Sequence, residues 1–130
     1  VVNWQSVARV PLFARLDANA IASVAQLLKP RSVSANQVIV RRGDIADSMY
    51  FIMEGEVEVD ITPNPVRLKQ GDFFGEIALV ENIPRTATIL SLTNCRLLVL
   101  ETVDFERLTT QIPDLKDQIK RISDKRLPGQ

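Results

Sequence analysis

Histidine is absent from this sequence of 130 residues, and cysteine occurs only once. Without histidine, the chain cannot use Ser-His-Asp or Cys-His catalysis or build a histidine-ligated metal site. The single cysteine, Cys95, cannot form an internal disulfide, and the apolar run at 95–100 predicts a buried, unreactive thiol that fits a reducing compartment. These absences argue against an enzyme, and we expect neither a metal nor a cofactor.

The sequence also lacks an excess of either charge and a long apolar run. Lysine and arginine total 16, as do aspartate and glutamate, so the composition gives no reason to expect nucleic acid or an anionic membrane surface as a partner. No run approaches the roughly 18 apolar residues of a membrane span, and no signal segment opens the chain. The length predicts one domain, residues 1–130, and the start at Val1 rather than methionine indicates a piece of a longer protein.

Helical and strand-like patterns divide the chain into three parts. Residues 1–30 predict two N-terminal helices, the first limited by Pro11 and the second capped by Asp17 and stopped by Pro30. Residues 31–100 contain short apolar or alternating runs separated by turn residues, which are typical of an antiparallel roll, sandwich or barrel. The predicted strands are 31–33, 37–40, 49–53, 56–62, 66–68, 85–90 and 95–100.

The helical pattern returns in residues 101–130. We predict one helix at 103–111, capped by Thr102, and a second from 115 to about 126, capped by Asp114. The second helix carries a thin apolar stripe of Leu115, Ile119 and Ile122, extended by Leu127. Because its other residues are mostly charged, we expect this helix to pack weakly on its own domain and to be mobile.

Residues 73–88, FFGEIALVENIPRTAT, combine a glycine turn, a short apolar segment and an arginine. Backbone N–H groups at a helix start favour an anion, so the turn at Gly75 suits a phosphate. Arg85 adds a charged, bidentate fork for phosphate oxygens, and Glu76 accepts hydrogen bonds from a sugar hydroxyl. The alternatives are two surface charges, or an internal salt bridge between Glu76 and Arg85. Because the apolar surroundings demand matched charges, the stretch predicts a pocket for a small phosphate ester.

Three further residues have both a structural and a functional interpretation. Thr86 follows the arginine and either favours a strand or donates its hydroxyl to a phosphate or a base. Val59 belongs to the alternating run at 56–61, whose apolar face is either core or the wall of a ligand pocket. Arg126 is either a solvated helix residue or a guanidinium stacked on a ligand base.

The sequence FGEIAL at 74–79, followed by PRTAT at 84–88, resembles the phosphate-binding cassette of cyclic nucleotide-binding domains. The resemblance covers nearly the whole chain, including RGD at 42–44, MYFI at 49–52, EG at 54–55 and the two closing helices. It implies an α+β fold: an antiparallel, jelly-roll-like β-roll of about eight short strands, with N-terminal helices, a short cassette helix and two C-terminal helices. It also implies cAMP or cGMP as the ligand.

The resemblance assigns roles to individual residues. Glu76 matches the acid that binds the ribose 2′-hydroxyl, and Arg85 matches the arginine that pairs with the cyclic phosphate. Thr86 stands where a hydroxyl is associated with cGMP tolerance, and Arg126 where related channels place a base-contacting arginine on the last helix. The other candidate binding residues are Phe74, Val59 and, through their backbone, Gly75, Ile77 and Ala78.

The segments NWQ at 3–5, VPLF at 10–13 and TPNPV at 62–66 resemble, more narrowly, bacterial cyclic nucleotide-gated potassium channels. This resemblance implies a transmembrane pore domain on the same chain, a homotetrameric parent in the bacterial inner membrane, and a cytoplasmic position for this domain without direct membrane contact. Residues 31–100 would then be the roll with its cassette at 73–88, and 101–130 a hinge and a lid. A kinase regulatory subunit or a catabolite-activator-type transcription factor is the alternative parent.

Overall fold

The alternating run at 56–61 forms a strand with one buried face, as its pattern predicts. In β4 (Glu56–Asp60), Val57 and Val59 are buried, whereas Glu58 between them is only partly covered. The computed structural model describes residues 2–126 of the chain. Within these residues, eight strands form two four-stranded sheets in which neighbouring strands are antiparallel, and this confirms the predicted β-roll.

The two sheets draw their strands from both halves of the chain. The first sheet consists, in order, of β1 (Lys29–Val33), β8 (Cys95–Glu101), β3 (Ser48–Glu54) and β6 (Phe73–Phe74). The second consists of β2 (Val38–Val40), β7 (Thr88–Ser91), β4 and β5 (Val66–Lys69). Segments that are distant in the chain therefore pair in each sheet. The cassette at 73–88 begins in β6 of the first sheet and ends in β7 of the second.

Five α-helices accompany the sheets in the described range: α1 (Trp4–Ala8), α2 (Ala18–Leu27), α3 (Glu76–Glu81), α4 (Thr102–Gln111) and α5 (Asp114–Arg126). The start of α2 is as predicted, because the Asp17 side chain accepts a hydrogen bond from the N–H of Ala20 at 2.8 Å. Within residues 2–126, no helix is both long and apolar enough to cross a membrane.

Most strand boundaries differ from the prediction by one or two residues, and two of the differences have structural causes. Pro30 does not stop α2, which ends at Leu27; it lies inside β1, an edge strand in which a residue without an N–H is tolerated. The strand predicted at 85–90 begins only at Thr88. A further strand, β6, was missed because it is only two residues long.

The late start of β7 has a specific cause in the backbone of Arg85. Its N–H donates to the carbonyl of Asp44, and its own carbonyl accepts from the N–H of Gly43, both at 2.9 Å. These bonds tie Arg85 to the turn between β2 and β3 instead of to a strand ladder. The arginine therefore lies in an irregular segment whose position is fixed by another loop.

The predicted cap of α4 is wrong as well. Glu101 occupies the cap position without a side-chain hydrogen bond, and Thr102 is the first helical residue. The Thr102 hydroxyl is buried without a hydrogen-bond partner, while its N–H donates to the carbonyl of Asp47 at 2.9 Å. The start of α4 is thus held by the loop before β3, a contact that local sequence does not reveal.

Buried side chains form two cores that meet at the first sheet. One lies between the two sheets and includes Ile52, Val57, Phe74 and Leu97. The other lies between the first sheet and the helices and includes Phe13, Phe51, Phe105, Leu108, Leu115 and Ile119. Both terminal groups of helices share this second core, so the N-terminal and C-terminal parts of the domain pack on the same face of the roll.

The last helix buries more of one face against the domain than its thin apolar stripe predicts. Leu115 and Ile119 are each only 1% exposed, and Ser123, at the next four-residue step, is 5% exposed. Ile122 was predicted to face the core but is 41% exposed. The buried face therefore follows the i, i+4, i+8 positions, and Leu127 lies outside the described residues. The mobility of this helix remains a prediction.

We expect Ile119→Ala to lower the free energy of unfolding by about 2–4 kcal/mol, because it removes a buried side chain and leaves a cavity under α5. Ile122→Ala, on the exposed side of the same helix, is the matched control and is expected to change stability by only about 0.5 kcal/mol. Urea unfolding curves with equal slopes measure both values. Equal losses of unfolding free energy in the two variants would contradict the observed packing of α5 against the core.

Candidate functional site

The site is built around the turn between β6 and α3. Gly75 links them with φ of 83° and ψ of 0°, a left-handed conformation that side-chain-bearing residues rarely adopt. The helix that follows begins at Glu76, and no side chain caps its first turn. The glycine turn thus connects β6 to the short helix that carries Glu76.

Arg85 is buried, with 5% of its surface exposed, and its guanidinium is fixed by backbone carbonyls. Nη2 donates to the carbonyl of Ser48 at 2.7 Å, and Nη1 donates to the carbonyl of Gly75 at 2.9 Å. The carboxylate of Asp47 lies 3.6 Å from Nη2. Among the described residues, Arg85 therefore forms its ion pair with Asp47, and the alternative of an internal salt bridge between Glu76 and Arg85 is not observed.

The electrostatic environment of Arg85 combines desolvation with several opposing influences. Burial lowers the pKa of the guanidinium, whereas Tyr50, Asp47 and Glu76 act to raise it. An arginine starts from so high a pKa that it keeps its charge at neutral pH in spite of this burial. The cleft therefore contains a permanent, partly desolvated positive charge.

The aromatic ring of Tyr50 lies next to this charge. The guanidinium carbons of Arg85 and Arg31 each lie 5.9 Å from the centre of the Tyr50 ring, and Phe74 stacks on that ring at 4.9 Å. The Tyr50 hydroxyl is 3.1 Å from Oγ of Ser48, which also donates to Asp47 at 2.9 Å. The aromatic pair and the hydroxyls fix the approach of Arg85 to the turn.

Glu76 is the second buried charge of the site, with 2% of its surface exposed. Its Oε2 accepts a hydrogen bond from Oγ of Ser123 on α5, at 2.6 Å. Such a distance is typical of a hydroxyl that donates to a carboxylate. The acid of the cassette and the last helix are therefore in direct contact.

Eight of the nine candidate binding residues line one small cleft of about 30 Å³: Val59, Phe74, Gly75, Glu76, Ile77, Ala78, Arg85 and Thr86. Apolar side chains of the second sheet complete its walls, namely Val40, Leu68 and Ile89. A larger cleft of about 350 Å³ lies between the cassette and α5, and both clefts share Glu76, Ile77 and Thr86. The ninth candidate, Arg126, ends α5, and its side chain lies outside the described part of the structure.

Sequence reasoning missed residues whose partners are distant in the chain. Asp47 and Ser48, immediately before β3, position Arg85, while Lys120, Ser123 and Asp124 line the larger cleft from α5. The signal for Ser123 was present, because it lies four and eight residues after the buried Ile119 and Leu115. Thr88 is structural, as predicted, since its hydroxyl accepts from the N–H of Arg42 at 3.0 Å.

We expect Gly75→Ala to be more damaging than Gly43→Ala. Both glycines have left-handed backbones, with φ of 83° and 91°, so each substitution is strained by about 1–2 kcal/mol. A Cβ at Gly43 would meet nothing within 4 Å, whereas one at Gly75 would lie 2.8 Å from Nη1 of Arg85. The extra overpacking should lower the unfolding free energy by about 1–3 kcal/mol more, as measured by urea unfolding. Equal losses would contradict the fixed position of Arg85.

Comparisons with known proteins agree with this arrangement. A family model for the cyclic nucleotide-binding domain matches residues 30–111. A cyclic nucleotide-gated potassium channel of Rhizobium etli is 43% identical over 99% of this chain, and one of Mesorhizobium japonicum is 42% identical over 93%. The regulatory domain of Toxoplasma gondii PKA, solved with cAMP, is 25% identical over 94% of this chain and 48% of that one, with a TM-score of 0.82.

The two channels are much longer than this chain, which spans 36% and 34% of their respective lengths. The matched region in this chain includes the roll, the cassette and the first closing helix. On this evidence, the chain belongs to the family of cyclic nucleotide-binding domains.

Proposed function

We propose that this domain is a non-enzymatic sensor that binds cAMP or cGMP in its cassette. The observation that carries the proposal is that one glycine turn brings a buried arginine and a buried glutamate to the same cleft. A cyclic nucleotide offers an anionic phosphate to the first and sugar hydroxyls to the second. No second protein and no metal is needed for this recognition.

Each charged residue has a defined part in the proposed binding. Arg85 has five N–H donors, and the two bonds to carbonyls leave others to bind phosphate oxygens. Glu76, when ionised, accepts a hydrogen bond from the ribose 2′-hydroxyl. The missing side chain of Gly75 leaves the backbone open to close approach by the ligand. The apolar walls of the cleft, including Val59, exclude water from these contacts.

The two clefts suggest where the rest of the nucleotide lies. Pockets that hold small molecules are typically about 300–1,000 Å³, so the 30 Å³ cleft cannot hold a nucleotide alone. The larger cleft beside α5 has the required volume and shares Glu76 and Thr86 with the cleft at the cassette. In the proposed complex the base lies toward α5, where Arg126 is expected to contact it.

Closure of α5 over the base would convert binding into a conformational signal. A ligand shifts the position of this helix only as far as it binds one position more tightly than another. A coupling of about 1–3 kcal/mol is ordinary for such a switch. Because α1 and α5 both pack on the second core, a shift of α5 can reach the N-terminal part of the domain.

For the whole protein, we propose a bacterial potassium channel gated by this domain. The support is the identity of 43% and 42% to two cyclic nucleotide-gated potassium channels. In this proposal a pore domain belongs to the same chain, the assembly is a homotetramer in the inner membrane, and this domain faces the cytoplasm. The likeness to a PKA regulatory domain, at 25% identity, favours a kinase subunit less.

We expect Arg85→Leu to weaken the binding of cAMP and cGMP at least tenfold, because a desolvated phosphate would lose its charged partner. Isothermal titration calorimetry measures the affinities. In thermal shift assays, cAMP or cGMP should stabilise the unsubstituted domain, whereas AMP should not.

Arg42→Leu is the matched control, because it removes the same charge from an exposed position in a neighbouring turn. It should leave the affinities nearly unchanged. An unfolding curve of Arg85→Leu separates loss of binding from loss of fold. Unchanged affinity in folded Arg85→Leu would refute the proposed pocket.

We expect Thr86→Ala to lower the affinity for cGMP more than that for cAMP. Thr86 is exposed and lines both clefts, so its hydroxyl is available to a ligand base and its loss should not disturb the fold. One hydrogen bond predicts a selective loss of about threefold to tenfold. Calorimetry with both nucleotides measures the ratio, and equal losses would refute a role for Thr86 in selectivity.

A further inference from the structure

Ser123 is a polar residue at an apolar position of the last helix. Leu115, Ile119 and Ser123 are spaced by four residues, and all three are at most 5% exposed. Leu115 and Ile119 belong to the hydrophobic core, so a third apolar residue would be the simplest continuation of the face. Instead, the Ser123 hydroxyl donates a hydrogen bond to the carboxylate of Glu76, at 2.6 Å.

This contact joins the last helix to the acid that the proposed function assigns to the sugar. Both partners are buried, so the bond is shielded from competing water and is stronger than an exposed one. The serine hydroxyl and a ribose hydroxyl have the same chemistry, because each is an O–H donor to a carboxylate oxygen. They can therefore exchange for one another on Glu76.

The two clefts bring a bound sugar and Ser123 to the same carboxylate. The cleft at the cassette holds only about 30 Å³, so a sugar has to approach Glu76 with much of its volume in the larger cleft. Ser123 lines that larger cleft, and its hydroxyl already occupies Oε2 of Glu76 from the same side. The neighbouring Asp124 cannot replace it as a donor when ionised, and Lys120 lies one turn earlier on the exposed part of the helix.

We propose that Ser123 and Glu76 form a sugar-sensitive latch, in which the 2′-hydroxyl of a bound cyclic nucleotide displaces the Ser123 hydroxyl and releases the end of α5. This inference rests on the proposed function, and it adds a residue that determines which sugars operate the switch. The last helix then has two positions. In the first, Ser123 is hydrogen-bonded to Glu76, and in the second, the helix lies over the base of the bound nucleotide. A nucleotide without a 2′-hydroxyl binds beside the closed latch and leaves it intact.

The test compares Ser123→Ala with the unsubstituted 130-residue chain, using cAMP and 2′-deoxy-cAMP as probes in calorimetry. Removing the serine hydroxyl removes the competitor, so the affinity for cAMP should rise about threefold to tenfold. The affinity for 2′-deoxy-cAMP should not change, because that ligand does not use the contested acceptor. Without nucleotide, amide hydrogen exchange in α5 should be faster in Ser123→Ala.

Two variants control for effects of packing. Ser123→Thr keeps the hydroxyl, so its ratio of cAMP to 2′-deoxy-cAMP affinity should stay closer to that of the unsubstituted chain than the ratio of Ser123→Ala, while Ser23→Ala removes an exposed serine and should change nothing. Weaker or unchanged cAMP binding in folded Ser123→Ala would overturn the latch, as would an equal gain for both nucleotides. If the unsubstituted chain binds no cyclic nucleotide, the proposed function fails and the exchange with it. If cAMP binds but α5 exchanges at the same rate in both proteins, only the latch fails.

Discussion

The burial of two opposite charges beside one glycine turn is the constraint on which the rest of the structure depends. A buried ion costs several kcal/mol unless its hydrogen-bonding capacity is filled, and a single unmet partner would destabilise the fold. The partners come from separate segments: carbonyls of Ser48 and Gly75 for Arg85, and the hydroxyl of Ser123 for Glu76. The strands, the loop before β3 and the last helix must all be in place for both charges to be accommodated.

In the proposed sensor, the two charged residues are held in different ways. Tyr50 of the first sheet and the turn at Gly43 hold Arg85 in place, so the proposed anion site is formed before a ligand binds. Pre-formed donors bind a phosphate with little reorganisation. By contrast, Glu76 is bonded to α5, the element that is proposed to move. In the proposed switch, the half of the site around Arg85 supplies affinity, and the half that faces α5 supplies a response.

Local patterns predicted the parts of the structure whose causes are local. The alternation in β4, the Asp17 cap and the glycine turn of the cassette each depend on residues within a few positions of one another. The late start of β7 and the start of α4 could not be predicted, because both depend on backbone bonds to distant loops. Ser123 was missed for a related reason. Its carboxylate partner, Glu76, lies 47 residues away in the sequence, and without that partner a serine is not expected to be buried.

Asp47 makes two contacts that act on different parts of the domain. Its carboxylate lies 3.6 Å from Arg85, and its carbonyl accepts from the N–H of Thr102, where α4 begins. Arg85 is therefore connected through one residue, Asp47, to the base of a two-helix arm. The 13 residues of α5 extend about 20 Å, so a tilt of about 10° at its near end would displace its far end by roughly 3 Å. A small tilt of α5 would therefore displace its far end by about the length of a hydrogen bond.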